Sequence, residues 1–428
     1  MGSITEAVFL EVQRRPFLFR NALDLLRRWQ GPVAGTGKLY VVLGADRVRE
    51  VLKRPADFLS GPIYAPRLKL GPLILGMDVS PRYRKEHEIL GRALSRADFN
   101  FETRVGQHAV RVLKGLNTKR RIDLVTEVIE PVFIHSLCDL FGIIPDEATS
   151  KLVDGRGATV VAQWMRKVGG LIASSVPAPF GLDWLTDGLK DEMSGFFSDP
   201  ANHRETSLFT TVKETLGPQS VVRCVGGMLL PAATLFKAAT LAIQKLLNLM
   251  HSRKPPDTPA FRQLKDGSAS WELIQEALRF QPPIPMLVRY CPRPTTLGSK
   301  SIPPGSTVFV SLLSAMFDPQ KVQEPEKFSV GRPKDAYVLF GVGPHECIAQ
   351  HLAETGLPSL IGILFGNFAM EPRHEIVYDG PAVAEYKVDV TLRTGVTNAI
   401  GSYDNWGNVT DVRRRDGVEP PQDATGTR

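Results

Sequence analysis

Phe340-Gly341-Val342-Gly343-Pro344-His345-Glu346-Cys347-Ile348-Ala349 is the stretch on which the reading of this chain turns. Two glycines, with a proline between them and the cysteine, predict a tight backbone turn that neither a helix nor a strand could contain. The run from Ile348 to Ile361 then spaces its apolar residues as a helix does. Cys347 is therefore predicted just before or at a helix N-terminus. There, unpaired backbone N–H groups and the positive end of the dipole favour a thiolate over a thiol. A cysteine in isolation is more often a small buried hydrophobe. The pattern around this one points instead to a ligand.

A thiolate ligand donates electron density to a heme iron and favours O–O cleavage. Such chemistry needs shielding from water, and Phe340, seven positions earlier, is placed to provide it. The ten residues resemble the heme-binding loop of the cytochrome P-450 superfamily, Phe-x-x-Gly-x-x-x-Cys-x-Gly, with Ala349 where glycine is usual. The resemblance implies a single-domain, mainly α fold with small β-sheets and heme b as cofactor. It makes Cys347 the axial ligand of the heme iron, with Phe340 and Gly341 in the cofactor loop. His345 matches the residue that binds a heme propionate in many soluble members.

Working outward, 428 residues alone would suggest two or three domains, but the resemblance implies one heme domain over residues 1–410. The polar, basic stretch 411–428 is expected to be a disordered tail. A net charge of +7 admits nucleic acid, a membrane surface or an acidic protein as partner. No basic run is interleaved with aromatics, which ranks nucleic acid last of the three. Clusters such as Arg413-Arg414-Arg415 read as solvated faces. The four cysteines share no disulfide or metal spacing, as expected in a reducing compartment. No leader pattern opens the chain, and no stretch of about 18 apolar residues occurs. A soluble, cytoplasmic protein without an integral membrane segment is expected.

In the first half, residues up to Gly31 read as an amphipathic helix, Lys38 to Gly44 as a strand, and Asp46 to Leu52 as a helix. Leu59 to Leu75 reads as a loop, which the resemblance places over the pocket. Ser80-Pro81 can cap and start a helix running to Phe99. It resembles the superfamily's third helix, whose basic side chains reach a propionate through a His and an Arg four residues on. Here Tyr83 and His87 hold that spacing, and Arg84 is the other candidate; a solvated face is the alternative for either residue. Ile122 to Phe141 reads as one apolar core helix, and residues 155–205 fall where the superfamily has its variable lid.

Val221 to Met250 is the longest apolar segment and matches the superfamily's distal helix over the heme. Gly226-Gly227 permits close approach, and Pro231 should break the hydrogen-bond ladder. The resemblance makes Ala233 and Thr234 the catalytic pair beside the oxygen site, with Ala232 in the pocket wall. The usual carboxylate before the threonine is missing, and no Asp or Glu occurs between Glu214 and Asp257. Splitting dioxygen requires two protons. Three readings follow: a monooxygenase with another relay, an enzyme that starts from a hydroperoxide (a peroxygenase, or a fatty-acid hydroperoxide isomerase or dehydratase), and a non-catalytic heme protein.

Glu276 and Arg279 stand at i and i+3 of a predicted helix, ordinarily a weak surface pair. They match the superfamily's Glu-x-x-Arg, which implies burial and a structural role in retaining heme. By the same resemblance Leu287 lines the pocket, and Arg289 binds a propionate, as a guanidinium suits a carboxylate. Ser301 to Ser306 reads as a turn before the strand Val308–Leu312. Met316-Phe317-Asp318-Pro319 and Arg332-Pro333 resemble the meander. Tyr386 to Leu392 alternates as a strand, and Val396 would lie at the tip of its hairpin, near the pocket. The substrate is expected to be lipophilic, such as a fatty acid, terpenoid or other secondary metabolite. The redox partner is expected to be an acidic ferredoxin or flavoprotein, and none is needed if a hydroperoxide is used.

Overall fold

The computed structural model describes residues 15–65, 74–95, 100–116, 120–144, 165, 188–199, 202, 204, 206–229, 231–379 and 382–393. Most of the 155–205 lid, Val396 and the tail 411–428 lie outside the described residues.

The chain enters through helix α1, Pro16–Gln30. Strands β1, Val33–Thr36, and β2, Leu39–Val42, follow as an antiparallel hairpin. Helix α2, Ala45–Lys53, buries Val48, Val51 and Leu52. β2 is the expected strand, whereas β1 is one the sequence reading missed.

Helix α3, Pro81–Leu94, begins as Ser80-Pro81 predicts: Ser80 Oγ accepts from Tyr83 N at 3.1 Å and Pro81 takes the first turn. Helix α4, Phe101–Lys114, follows and packs into the main core. The single helix expected over Ile122–Phe141 is three elements: β3, Arg121–Asp123, a π-helical turn at Val125–Ile129, and α5, Glu130–Phe141. Local bonding explains the break. Asp123 Oδ1 accepts from Val125 N at 3.1 Å and from Tyr386 N at 3.0 Å, tying β3 to the C-terminal sheet before helix can form.

After α6, Ser207–Leu216, the distal segment is also interrupted. It runs through a π-helical turn, Val222–Gly226, a short α turn, Gly227–Leu229, and a 3₁₀ turn, Pro231–Ala233, before the regular helix α7, Thr234–Met250. Proline's missing N–H accounts for the break at 231, and the π turn extends the irregularity further back than proline requires.

Helix α8, Trp271–Phe280, is capped by Ser270 Oγ, which accepts from Leu273 N. Strands β4, Met286–Cys291, and β5, Ser306–Ser311, then join the N-terminal hairpin in the order β1-β2-β5-β4. β2 lies parallel to β5 and β4 antiparallel to it. Helix α9, Gln350–Asn367, follows the cysteine loop into the main core. Strand β7, Lys387–Leu392, is the expected C-terminal strand, but it pairs antiparallel with the preceding β6, Phe368–Pro372, which the sequence reading did not foresee, and β3 completes their sheet. A large helical core, with α7 and α9 at its centre, thus stands beside a smaller core on the β1-β2-β5-β4 sheet. Among the described residues, no helix is long and apolar enough to cross a membrane.

Candidate functional site

The cysteine loop is built by its own backbone. Gly341 and Gly343 take φ of +74° and +82°, a region closed to most residues. At Gly343 an added Cβ would come 3.1 Å from Leu52 O, so the loop is seated directly on the end of α2. Gly341 N donates to Val338 O at 3.0 Å and Glu346 N to Gly343 O at 2.9 Å. Cys347 N donates to Phe340 O at 3.1 Å, which closes the turn. Cys347 precedes α9 by three residues, as the sequence predicts.

The state of its thiol is set differently from the expectation. Burial pushes the Cys347 pKa up, and the opposing backbone N–H of Ala349 is the weaker influence. In the free chain desolvation therefore outweighs the helix end, and the thiolate needs a cation to form. Cys347 is nevertheless exposed. Both observations hold if the sulfur faces an internal recess, open to a water-sized body yet ringed by protein atoms.

Three elements converge on this loop. From α3, Tyr83 is buried and its hydroxyl donates to Pro344 O at 2.7 Å. Its ring centroid lies 4.9 Å from that of His345 and 5.5 Å from that of His87. Tyr83 is thus a brace for the loop, and burial raises its pKa to about 12. His87 Nε2 lies 3.5 Å from Glu346 O, whereas Arg84, one position round the helix from Tyr83, is exposed. From β4, Arg289 is buried, donates to its neighbour Val288 O at 2.9 Å and is also hydrogen-bonded to the Tyr64 side chain. His345 Nε2 is buried without a hydrogen-bond partner. Burial first, and then the nearby Arg289 charge, pull the His345 pKa down to about 4.

These groups fit the heme that the loop implies. Arg289 is a buried cation whose charge is met by the Tyr64 hydroxyl and, at longer range, by Asp78 rather than by a carboxylate in contact, and His345 is a donor or acceptor left unsatisfied; both match the needs of a heme's carboxylates. Cys347 supplies a soft ligand for iron. The cradle brings together Cys347, His345, Arg289, Gly341 and His87 with Tyr83. Phe340 contributes its carbonyl to the turn, while its ring packs 5.9 Å from Trp271.

Behind the loop, Glu276 and Arg279 are fully buried, as the resemblance implies. Arg279 Nε and Nη2 donate to the two Glu276 oxygens at 2.8 and 2.9 Å. Glu276 also accepts from Ser329 N, Arg332 Nε and Tyr337 Oη. Arg279 reaches Met316 O and Lys327 O in turn. This carboxylate pins the meander, residues 316–337, beneath α8.

On the distal side, Thr234 begins α7, with Ala232 and Ala233 half-buried against the main core. One residue pair here escaped sequence reading. Glu86 on α3 is buried and bonded by Arg223 of the π turn, with Nη2 to Oε1 at 2.8 Å and a second bond to Oε2. Leu287 lies in β4, half-buried, at the edge of the smaller core.

With this geometry in view, the comparisons agree. The cytochrome P-450 family model matches residues 263–378, the segment from α8 through the cysteine loop and beyond. The chain belongs to the cytochrome P-450 superfamily. It is 25% identical over 334 residues to cytochrome P-450 107B1 of Saccharopolyspora erythraea, covering 75% of this chain and 76% of that one. It is 34% identical over 115 residues to the monooxygenase DoxA of Streptomyces peucetius, where the alignment spans 27% of each chain. Among solved structures, cytochrome P-450 CYP109Q5 from Chondromyces apiculatus superposes with a TM-score of 0.71 at 19% identity, over 90% of this chain and 97% of that one. CalO2 does so at 0.71 and 18%, over 89% and 97%. These structural likenesses establish the cytochrome P-450 fold.

Proposed function

We propose that the chain is a heme-thiolate monooxygenase that inserts oxygen into a lipophilic substrate. The observation that carries this is the cradle itself: an exposed thiol and a histidine with an unsatisfied buried nitrogen on one loop, with a buried arginine brought to them by β4. Heme b bound there would supply dioxygen activation at its iron. Cys347 would hold the iron, and Arg289, His345 and His87 would hold the carboxylates. The tight turn on Gly341 and Gly343 keeps the sulfur in place, and the Glu276 cluster keeps the loop's support rigid. Thr234, with Ala233 and Ala232, starts the helix that forms the opposite wall. Ala232, Ala233 and Leu287, which the resemblance places in the pocket, are apolar, and this supports a lipophilic substrate. The proteins this chain resembles include a vitamin D(3) 25-hydroxylase and a cyclomarin C epoxidase, which fits such a substrate. The basic surface supports an acidic ferredoxin or flavoprotein as electron donor.

A second reading rests on one feature. The distal segment carries no carboxylate from Val221 through Met250, and an oxidant with a preformed O–O bond needs less proton delivery. Incubation of the heme-loaded chain with lipid hydroperoxides, without reductase or dioxygen, decides between the two. No product supports the monooxygenase; rapid conversion overturns it in favour of hydroperoxide use.

A further inference from the structure

Lys237 sits one turn after Thr234 on α7 and is only 7% exposed. The other lysine of this helix, Lys245, places its Nζ 4.1 Å over the Phe280 ring. Lys237 has no hydrogen bond, ion pair or ring contact among the described residues. Its side chain lines a cavity of about 20 Å³, whose wall is apolar at Leu241, Pro282, Pro285 and Leu313 and polar at Gln281. A single water needs about 10–15 Å³, so the space admits one small polar group. Glu375, the carboxylate that reaches this helix, is engaged elsewhere, accepting from Gln244 Nε2 at 2.7 Å. No other charge bears on Lys237, and burial alone pulls its pKa down to about 8.

A buried ammonium without a counter-charge is unfavourable, and a protein that places one on a rigid helix facing a cavity has made half of an ion pair. We propose that Lys237 is an anion-binding residue and that its cavity receives the carboxylate group of an organic acid. One carboxylate oxygen meets Nζ and the other can accept from the second N–H of the Gln281 amide, whose first is directed at Gln244 Oε1 at 3.4 Å. A single negative charge balances the single cation, whereas a phosphate dianion would leave one charge unmatched. The acid can be the head of an apolar substrate or a small free carboxylate. The site stands independently of which oxidant the enzyme uses.

The test is calorimetric titration of the heme-loaded full chain with sodium octanoate, octanamide and sodium acetate, on the wild type, Lys237→Met and Lys237→Arg. The proposal expects octanoate or acetate to bind the wild type, roughly tenfold or more tighter than Lys237→Met, with Lys237→Arg close to wild type. Octanamide should not distinguish the variants. Octanoate binding without acetate binding identifies a substrate head, and equal binding identifies a small free acid. Should Lys237→Met fail to fold, wild-type affinity for the acid must still fall as pH rises from 7 to 10 and the amine loses its proton. Absence of acid binding, equal binding by wild type and Lys237→Met, or a pH-independent affinity overturns the proposal.

Discussion

Glu276→Gln tests what holds the loop's support together. The substitution keeps the shape and removes one negative charge from a fully buried site. Glu276 is met there by two guanidiniums, Arg279 and Arg332, and by the donors Ser329 N and Tyr337 Oη. The variant leaves both cations without a counter-charge, and breaking a buried ion pair in this way costs about 3–5 kcal/mol. Against a typical stability of about 5–15 kcal/mol, that is from roughly a fifth to the whole of the total. Arg279→Gln differs in kind, because the Glu276–Arg332 pair survives it. It removes donors from Met316 O and Lys327 O but leaves no unbalanced charge. Glu276→Gln should therefore be the more damaging of the two. Urea unfolding of both variants, with heme content read from absorbance per chain, measures this. A Glu276→Gln midpoint within error of wild type, or an Arg279→Gln variant that is clearly worse, refutes the reasoning.

Cys347→Ala should abolish the thiolate-ligand signature in the absorption spectrum of the reduced, carbon monoxide-treated chain while leaving the far-UV spectrum helical. Tyr83→Phe removes the hydroxyl that donates to Pro344 O; it should lower stability by about 1 kcal/mol and speed heme loss to apomyoglobin. For His345, the folded pKa of about 4 lies below the ordinary 6.5. In the heme-free chain its contribution is therefore intact above pH 6.5 and lost as pH falls toward 4, by about 3 kcal/mol. His345→Asn should flatten that limb of a stability-versus-pH profile, as should heme, whose carboxylate would offset the cost of protonation.

What could be read from the sequence followed a physical division. Cys347 with its glycines, the Glu276–Arg279 spacing and the Ser80-Pro81 cap depend on local geometry, and each lies where the residues indicated. The misses depend on distant partners. Tyr83 matched a position that ordinarily reaches a propionate, but its role is fixed by Pro344, which only the fold brings near. Glu86 is one of several charges on its helix in the sequence, and its partner Arg223 lies 137 residues away. The break before α5 came from Asp123 bonding to Tyr386 N. Lys237 did carry a signal, a lone charge in the apolar run Ala232–Leu241. Attention to missing carboxylates passed over the cation.

The parallel pairing of β2 with β5 joins Leu39 to Thr307 and Val42 to Val310. During synthesis the N-terminal hairpin emerges early, yet its partner strand is made only after some 270 further residues. At roughly 5–20 residues per second, the open edge of β2 waits on the order of fifteen to fifty seconds. Through that interval an unpaired strand edge is available to other chains. The smaller core, and the seat that α2 gives the cysteine loop, come together late. Soluble yield should therefore respond to chaperones and to the rate of translation more than to the strength of the helical core, and a chain cut before Ser306 should not form this sheet.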